Sequence, residues 1–361
     1  MPGNSASGLK IQFAESDRTN SFGDNGERPS GKFVPDGRRR FRGVHFGGGE
    51  RGRGAKMIVM SRRELVVLGS ASQTPTRHRN HNGYLLRFDT DGILFDPGEG
   101  TQRQMMYAGA TASELTHLCV THFHGDHSLG LAGVIQRLSL DNVAHPVRCH
   151  YPASGQEYFD RLRHSTSFHE RAELVPLPIS APGPLGGALS AYPLEHRIDC
   201  FGYRYAEPDG IRMLPDALAA AGVQGPAIRK LQADGVLETA HGVVRLEDVS
   251  VPRRGQVVAF VMDTRLCAGA FACARDADLL IAESTFRADD AELASRYGHL
   301  TSTDAGRLAA ESGARKLLLT HFSQRYPYEE ADRFRDEAAK VFDGEIHVAR
   351  DLDVVPLPPR R

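Results

Sequence analysis

The sequence predicts a layered α/β fold, and three observations carry that prediction. Short apolar strands bounded by turn residues come first, and strands and helices then alternate, which is the order of a layered α/β domain. Several of the later strands run directly into a histidine or a carboxylate. Finally, His122, His124, Asp126 and His127 crowd into the run Thr-His-Phe-His-Gly-Asp-His that starts at Thr121.

Taken in order, the first strand is Leu-Val-Val-Leu at 65–68, halted by Gly69-Ser-Ala-Ser72. Strands at 83–88 and 92–96 follow with turn residues between them, and Asp96-Pro-Gly-Glu-Gly100 is a tight glycine turn leading into a helix over 101–108. Residues 115–121 read as a short buried strand through Leu118 and Val120. From 128 to 138 apolar residues recur at helical spacing, so the histidine run sits on a strand-to-helix turn. Loops of that kind are where open α/β sheets gather ligands, and a helix beginning beside His127 would favour anions there. Further strands are expected at 189–193, 257–262, 279–282 and 316–320, and helices at 156–162, 291–295, 303–312 and 328–341. Between them, 213–222 reads as a helix, and Gly225-Pro226 opens a short basic helix, with Arg229 and Lys230, that runs to about 235.

Composition limits the function classes. With 361 residues, 40% hydrophobic and 25% charged, the chain holds one large or two modest globular domains. Nothing in it is apolar enough for long enough to span a membrane, and the N-terminus lacks the apolar core of a secretion signal. Five scattered cysteines with no C-x-x-C suit reduced thiols and a cytoplasmic location. Residues 1–56, rich in Gly, Ser, Arg and Asn, carry a net charge of +5 and read as a disordered Gly/Arg-rich extension; residues 57–361, with a net charge of −6, form the folded domain. So acidic a body excludes broad non-specific coating of nucleic acid and leaves only local recognition.

Imidazole and carboxylate are ligands that Zn²⁺ takes. Four of them in one loop exceed what one ion needs once ligands arrive from elsewhere, so the run points to two metals and, with them, to hydrolysis. His196, Asp263, Glu283 and His321 each follow a predicted strand. With His122, that makes five strands delivering a ligand-type residue at the same end, which suggests one site along one sheet edge. Burying such groups unpaired is costly, and coordination is the economical explanation for their recurrence.

Thr121-His-Phe-His-Gly-Asp-His127 with Gly130, and then His196, Asp263 and His321, resemble the metallo-β-lactamase superfamily and, within it, the ribonuclease Z family, over residues 63–355. The resemblance implies an αββα sandwich with a tRNA-binding arm inserted at about 209–255, and two Zn²⁺ per subunit. His122, His124 and His196 would hold one ion, and Asp126, His127 and His321 the other, with Asp263 bridging. The implied activity is a zinc-dependent endoribonuclease that removes the 3′ trailer from precursor tRNA, leaving a 3′-hydroxyl on the tRNA and a 5′-phosphate on the trailer. Asp126 would orient or deprotonate the attacking water, and His299, positioned by Glu283, would act as general acid. In the loop Pro75-Thr-Arg-His-Arg-Asn80, residues Arg77, Arg79 and Asn80 would meet the tRNA 3′ end and its phosphates. Ser323 and Arg325 would hold phosphate oxygens, and Gly225, Pro226, Arg229 and Lys230 would reach the tRNA elbow. The resemblance further implies a cytoplasmic homodimer in which one subunit's arm serves the other's site. Departures are few: Met262 stands where Gly is usual, Ala282-Glu-Ser-Thr replaces His-Glu-Ala-Thr, and Arg77 replaces Lys. A small-molecule metallohydrolase of this fold (phosphodiesterase, thioesterase or lactonase) would need neither the loop arginines nor the arm. A non-catalytic RNA-binding protein on the same fold would not need a full ligand set.

Overall fold

The structure, a computed structural model, describes residues 62–240 and 242–360. The expected extension over 1–56, and the start of the folded domain at 57, lie outside the described residues. The chain begins with β1 (Arg63–Gly69), β2 (Gly83–Phe88) and β3 (Asp91–Phe95), then α1 (Thr101–Tyr107), β4 (His117–Cys119) and the single turn α2 (Gly125–Ser128). Next come α3 (Leu131–Leu140), β5 (Val147–Pro152), α4 (Gln156–Arg163) and β6 (Leu174–Ile179). The second half opens with β7 (Gly183–Gly186), β8 (Leu189–Leu194) and β9 (Cys200–Ala206). An insertion follows, made of β10 (Gly210–Met213), α5 (Pro215–Ala220), α6 (Pro226–Asp234), β11 (Val236–Thr239), β12 (Gly242–Arg245) and β13 (Ser250–Arg253). The chain then returns through β14 (Val257–Val261), α7 (Ala268–Ala274), β15 (Leu279–Glu283), α8 (Ala291–Tyr297), α9 (Ser302–Ser312), β16 (Lys316–Thr320), α10 (Asp332–Ala338), β17 (Glu345–Val348) and β18 (Val354–Pro356).

Two seven-stranded sheets result, ordered β18-β1-β2-β3-β4-β5-β6 and β17-β16-β15-β14-β9-β8-β7. Strand alternation sorts their side chains. Leu65 and Val67 of β1 join the core between the sheets, whereas Val66 and Leu68 point outward to a second core with Met105 of α1, Leu131, Val134 and Leu138 of α3, and Phe159 of α4. Across the sheets Phe95 stacks on Phe260 with centroids 4.6 Å apart, a contact worth about 0.5–1.5 kcal/mol beyond its burial. With α7 packed on β8, β9 and β14 and α9 on β15 and β16, the layers are helix, sheet, sheet, helix, the expected αββα sandwich.

Strand direction places the site. Because β8 and β14 are each antiparallel to β9, they run the same way, and β15 and β16 run parallel to β14. The residues after β8, β14, β15 and β16 therefore emerge at one end. The histidine turn after β4, however, belongs to the other sheet, where β4 runs parallel to β3. The expectation of a single sheet edge is thus corrected: the site lies across the ends of both sheets. Gly130, at the start of α3, closes this end, since a Cβ there would stand 1.9 Å from the Gly98 carbonyl oxygen.

Three helices differ from expectation. The helix after the histidine run is split, so that Asp126 and His127 lie within α2 itself and α3 starts at Leu131. Met213 ends β10, and α5 occupies only Pro215–Ala220. The helix expected at 328–341 is a 3₁₀ turn at Tyr328–Glu330 followed by α10. The insertion forms its own small core from Leu218, Val223, Leu231, Val244 and Val249. It leaves from the far end of β9 and re-enters at the start of β14, so it roots at the edge opposite the ligand-bearing end of those strands. No helix among the described residues is long and apolar enough to cross a membrane.

Candidate metal centre

The seven ligand-type residues converge. One set of donor atoms comprises His122, His124, His196 and Asp263, and another Asp126, His127 and His321, with the atoms of each set within 4.8 Å of one another. Asp263 faces both. Its Oδ2 lies 3.6 Å from His122 Nε2 and 3.7 Å from His196 Nε2, while Oδ1 lies 3.4 Å from His127 Nε2 and 3.1 Å from His321 Nε2. Asp126 Oδ2 lies 3.3 Å from His127 Nε2 and 3.4 Å from His321 Nε2. Backbone conformation helps aim these groups: Asp96 and His321, each immediately after a strand, and Asp263, separated from the end of β14 by Met262, have φ of 43°, 62° and 39°. Such left-handed turns cost L-residues energy and cluster at functional sites.

The far sides of the imidazole rings are fixed by hydrogen bonds. Thr121 donates its backbone N–H and its hydroxyl to Asp96, at 2.7 and 2.8 Å, so His122 Nδ1–H donates to Thr121 Oγ1 at 3.0 Å. His127 Nδ1–H donates to the same Asp96 carboxylate at 2.8 Å. Thr285 donates to Glu283 at 2.5 Å and accepts from His321 Nδ1–H at 2.6 Å. His196 Nδ1–H donates to the Gly298 carbonyl at 3.0 Å. Two threonine–carboxylate pairs, Thr121–Asp96 and Thr285–Glu283, thereby set the tautomers of three ligands and leave the Nε2 lone pairs pointing inward, the outer arrangement that metal-binding histidines use. His124 instead turns Nδ1 inward, 2.9 Å from His122 Nε2 and 3.4 Å from His196 Nε2.

Inward lone pairs at such spacings, beside carboxylates, are the donor set of a divalent cation. Asp263 Oδ1 supplies the most direct sign, being buried without a hydrogen-bond partner, a costly condition for a carboxylate oxygen that no cation meets. The protonation tendencies follow the carboxylates: burial would lower His127, but Asp263, Asp126 and Asp96 outweigh it and hold it well above the usual imidazole range. Burial would push the Asp263 and Asp126 carboxyls up, but His321 and His127 outweigh it and hold both well below the usual range. Burial pushes His122, His124 and His196 down toward the neutral form that coordinates metal.

Glu283 and His299 adjoin the cluster. His299 Nδ1 lies 3.1 Å from both Glu283 oxygens, which leaves Nε2 as the atom free to meet a substrate. Burial disfavours the imidazolium, yet Glu283 and then Asp263 overcome it and raise its pKa to about 9. The open pocket over the cluster is lined by His299, Ser323 and Arg325, and also by Arg197, Phe286 and Tyr297. Arg197 lies over the Tyr297 ring at 4.9 Å and Arg325 near the Phe286 ring at 6.0 Å. No carboxylate pairs with either arginine among the described residues.

The loop over 75–80 divides. Arg77 is exposed. Arg79 is only 6% exposed, donates to Ser70 Oγ and the Ala349 carbonyl, and lies over the rings of Phe322 and Tyr328. Its guanidinium is committed to the fold, which corrects the expectation of a phosphate contact. Asn80 is similarly engaged, donating its side-chain amide to the Glu99 carbonyl and its N–H to Asp351. On the arm, Gly225 (φ 56°) caps α6 ahead of Pro226, and Arg229 and Lys230 are exposed. Asp96, Thr121 and Thr285 are functional residues that the sequence reading did not single out. Their available signal was position: Asp96 follows a buried strand just as Asp263 does.

Comparison with known proteins bears on this arrangement. The family model for the metallo-β-lactamase superfamily matches residues 76–203. A ribonuclease Z of Nocardia farcinica is 56% identical over 307 residues, covering 84% of this chain and 100% of that protein. A ribonuclease Z of Streptomyces coelicolor is 57% identical over 307 residues, with the same 84% and 100% coverage. Among solved structures, human tRNase Z, short form, superposes with a TM-score of 0.58 at 24% identity, over 82% of this chain and 100% of that one, a likeness of fold.

Proposed function

From the premise that the chain belongs to the ribonuclease Z family of the metallo-β-lactamase superfamily, we propose that it removes the 3′ trailer of precursor tRNA using two Zn²⁺ per subunit. The observation that carries the reading is Asp263, a single buried carboxylate that offers one oxygen to each of two donor sets. His122, His124 and His196 would hold one ion, and Asp126, His127 and His321 the other, with Asp263 shared. Such a pair, when bound, polarises a phosphodiester and supplies a nucleophilic water at neutral pH.

The remaining roles belong to the chain. Asp126 Oδ2 lies beside both His127 and His321, where a carboxylate can orient the attacking water and take its proton. Cleavage that leaves a 5′-phosphate on the trailer breaks the bond from phosphorus to the tRNA 3′-oxygen. His299, with Nδ1 held by Glu283, would deliver a proton from Nε2 to that oxygen, an effect of about 10²–10⁴-fold. Arg325, backed by Phe286 and without a carboxylate partner among the described residues, suits a phosphate, with Ser323 beside it and Arg77 available on the loop. Arg229 and Lys230, together with the Gly225-Pro226 turn, would hold the tRNA body. Because the arm roots opposite the ligand-bearing strand ends, an arm that serves the site of a second copy in a homodimer fits the layout. The five cysteines, all free and buried, suit the cytoplasm.

Incubation with a precursor tRNA that lacks CCA, with and without chelator, tests the reading. A single cut at the 3′ side of the acceptor stem, a 5′-phosphate on the trailer, and loss of activity on chelation with recovery on adding Zn²⁺ are expected. Intact precursor, beside hydrolysis of a small phosphodiester, would replace it with a small-molecule hydrolase.

A further inference from the structure

A second groove of about 450 Å³ adjoins the metal-site pocket, and His124 lines both. Its other walls include Phe123, Gly155, Tyr158, Ile198 and Asp199. We propose that this groove is the subsite for the first nucleobase of the trailer, stacked against Tyr158 and Phe123. The proposal rests on the trailer-removing reading of the site.

Placement comes first. If His299 protonates the tRNA 3′-oxygen, the tRNA end lies on the His299 side, and the trailer, which keeps the phosphorus, leaves on another. The His196 ring neighbours both His124 and His299, with ring centroids 5.1 Å and 5.2 Å away, and His299 lines the metal-site pocket but not the groove. The groove beyond His124 thus lies on the side of the cluster away from the acid.

Chemistry comes next. The walls near His299 carry Arg197 and Arg325, which suit ribose and phosphate. The groove has no lysine or arginine in its lining, although the Arg161 guanidinium stands 6.0 Å from the Tyr158 ring centroid, and its one charged lining residue is the exposed Asp199. An acid would repel a phosphate but can accept from a base amino group, so the groove favours a base over a backbone.

The rings are also preorganised. A Cβ on Gly155 would stand 2.0 Å from Phe123 Cδ2, so the glycine leaves room for the ring to lie against the backbone. Phe123 meets buried Tyr151 edge-on at 5.9 Å. Tyr158 is 51% exposed on α4, its ring 5.9 Å from that of Phe123 and tilted by 34°. Aromatic side chains held in this way take bases of any identity by stacking.

The test is a double-mutant cycle between protein and RNA. Wild type, Tyr158→Ala and Tyr158→Phe are assayed on precursor tRNAs whose first trailer residue is normal or abasic, with zinc content and thermal stability measured alongside. Removing either the ring or the base should lower kcat/KM by on the order of 5- to 150-fold, and removing both should cost no more than one alone. Tyr158→Phe should match wild type. Losses that simply multiply, or coupling that appears with an abasic last tRNA residue instead, would overturn the assignment. Precursor left uncut by wild type would bring down the parent reading as well, whereas normal cutting without coupling removes the subsite alone.

Discussion

Asp96→Asn isolates what a single carboxylate contributes to the metal centre. Asp96 is fully buried and accepts from Thr121 N at 2.7 Å, Thr121 Oγ1 at 2.8 Å and His127 Nδ1 at 2.8 Å. The amide has nearly the same shape, so packing against the Gly98 turn is preserved. Its NH₂, however, must replace either Oδ2, which faces both the Thr121 hydroxyl and His127 Nδ1–H, or Oδ1, which faces the Thr121 backbone N–H, and all three are donors. In the Oδ2 place it drives the His127 ring to the other tautomer, with a proton on Nε2 where the lone pair should meet the cation, and turns the Thr121 hydroxyl, which disturbs its bond with His122 Nδ1. In the Oδ1 place it opposes the Thr121 backbone N–H, which cannot turn away, and so displaces the chain directly before His122. One ligand from either donor set is therefore at risk. Loss of an outer-shell partner weakens metal binding by about 10–100-fold, equivalent to about 1.4–2.7 kcal/mol. Competition with a chromophoric chelator at neutral pH reads this directly, without relying on turnover. Metal affinity within two-fold of wild type, in a variant that melts normally, would refute the reasoning that Asp96 governs the ligand tautomers.

Three further changes probe different parts of the molecule. Glu283→Gln removes the main charge that raises the His299 pKa, so the alkaline limb of the kcat–pH profile should move to lower pH, because the acid form is then lost sooner; an unmoved limb would show that His299 is not the acid. Arg265 donates twice to the Ser295 carbonyl, at 3.0 and 2.8 Å, in the segment leading to His299; Arg265→Ala should lower kcat by about ten-fold, on the scale of one or two lost hydrogen bonds, with metal content unchanged and partial recovery in Arg265→Lys. Glu207 accepts from Arg63, Arg253 and Arg360 at the root of the arm. Burial would raise its pKa, but Arg63 and the Gln256 N–H lower it to about 2. Its stabilisation is therefore present above the unfolded value of about 4.3 and fades as pH falls toward 2. Allowing for solvent screening, Glu207→Gln should cost about 1–2 kcal/mol in urea denaturation at pH 7, and the difference should shrink steadily as pH falls below the unfolded value.

What the sequence revealed and what it hid divide along the range of the interactions concerned. His122, His196, Asp263 and His321 were legible because each follows an apolar strand, and a buried strand ending in a metal-type ligand is a local pattern. Asp96 obeys the same pattern yet was read as a turn residue, because Pro97 and Gly98 supplied a sufficient local explanation. Arg79 was hidden for the opposite reason. A basic loop residue looks solvent-facing until Phe322, Tyr328 and the Ala349 carbonyl, all more than 240 positions away, close over it. β6 escaped notice because Leu-Val-Pro-Leu-Pro-Ile holds two prolines, which a central strand would reject. It is tolerated because β6 is the last strand of its sheet and has a partner on one side only. The division of the ligands between two sheets was equally invisible, since strand polarity is local but sheet membership is not. Residues whose role ends at the metal are thus read from their own strand. Those that orient a ligand, or bind the fold around it, need partners that only the folded chain brings together, and Asp96→Asn and Arg265→Ala test that second class.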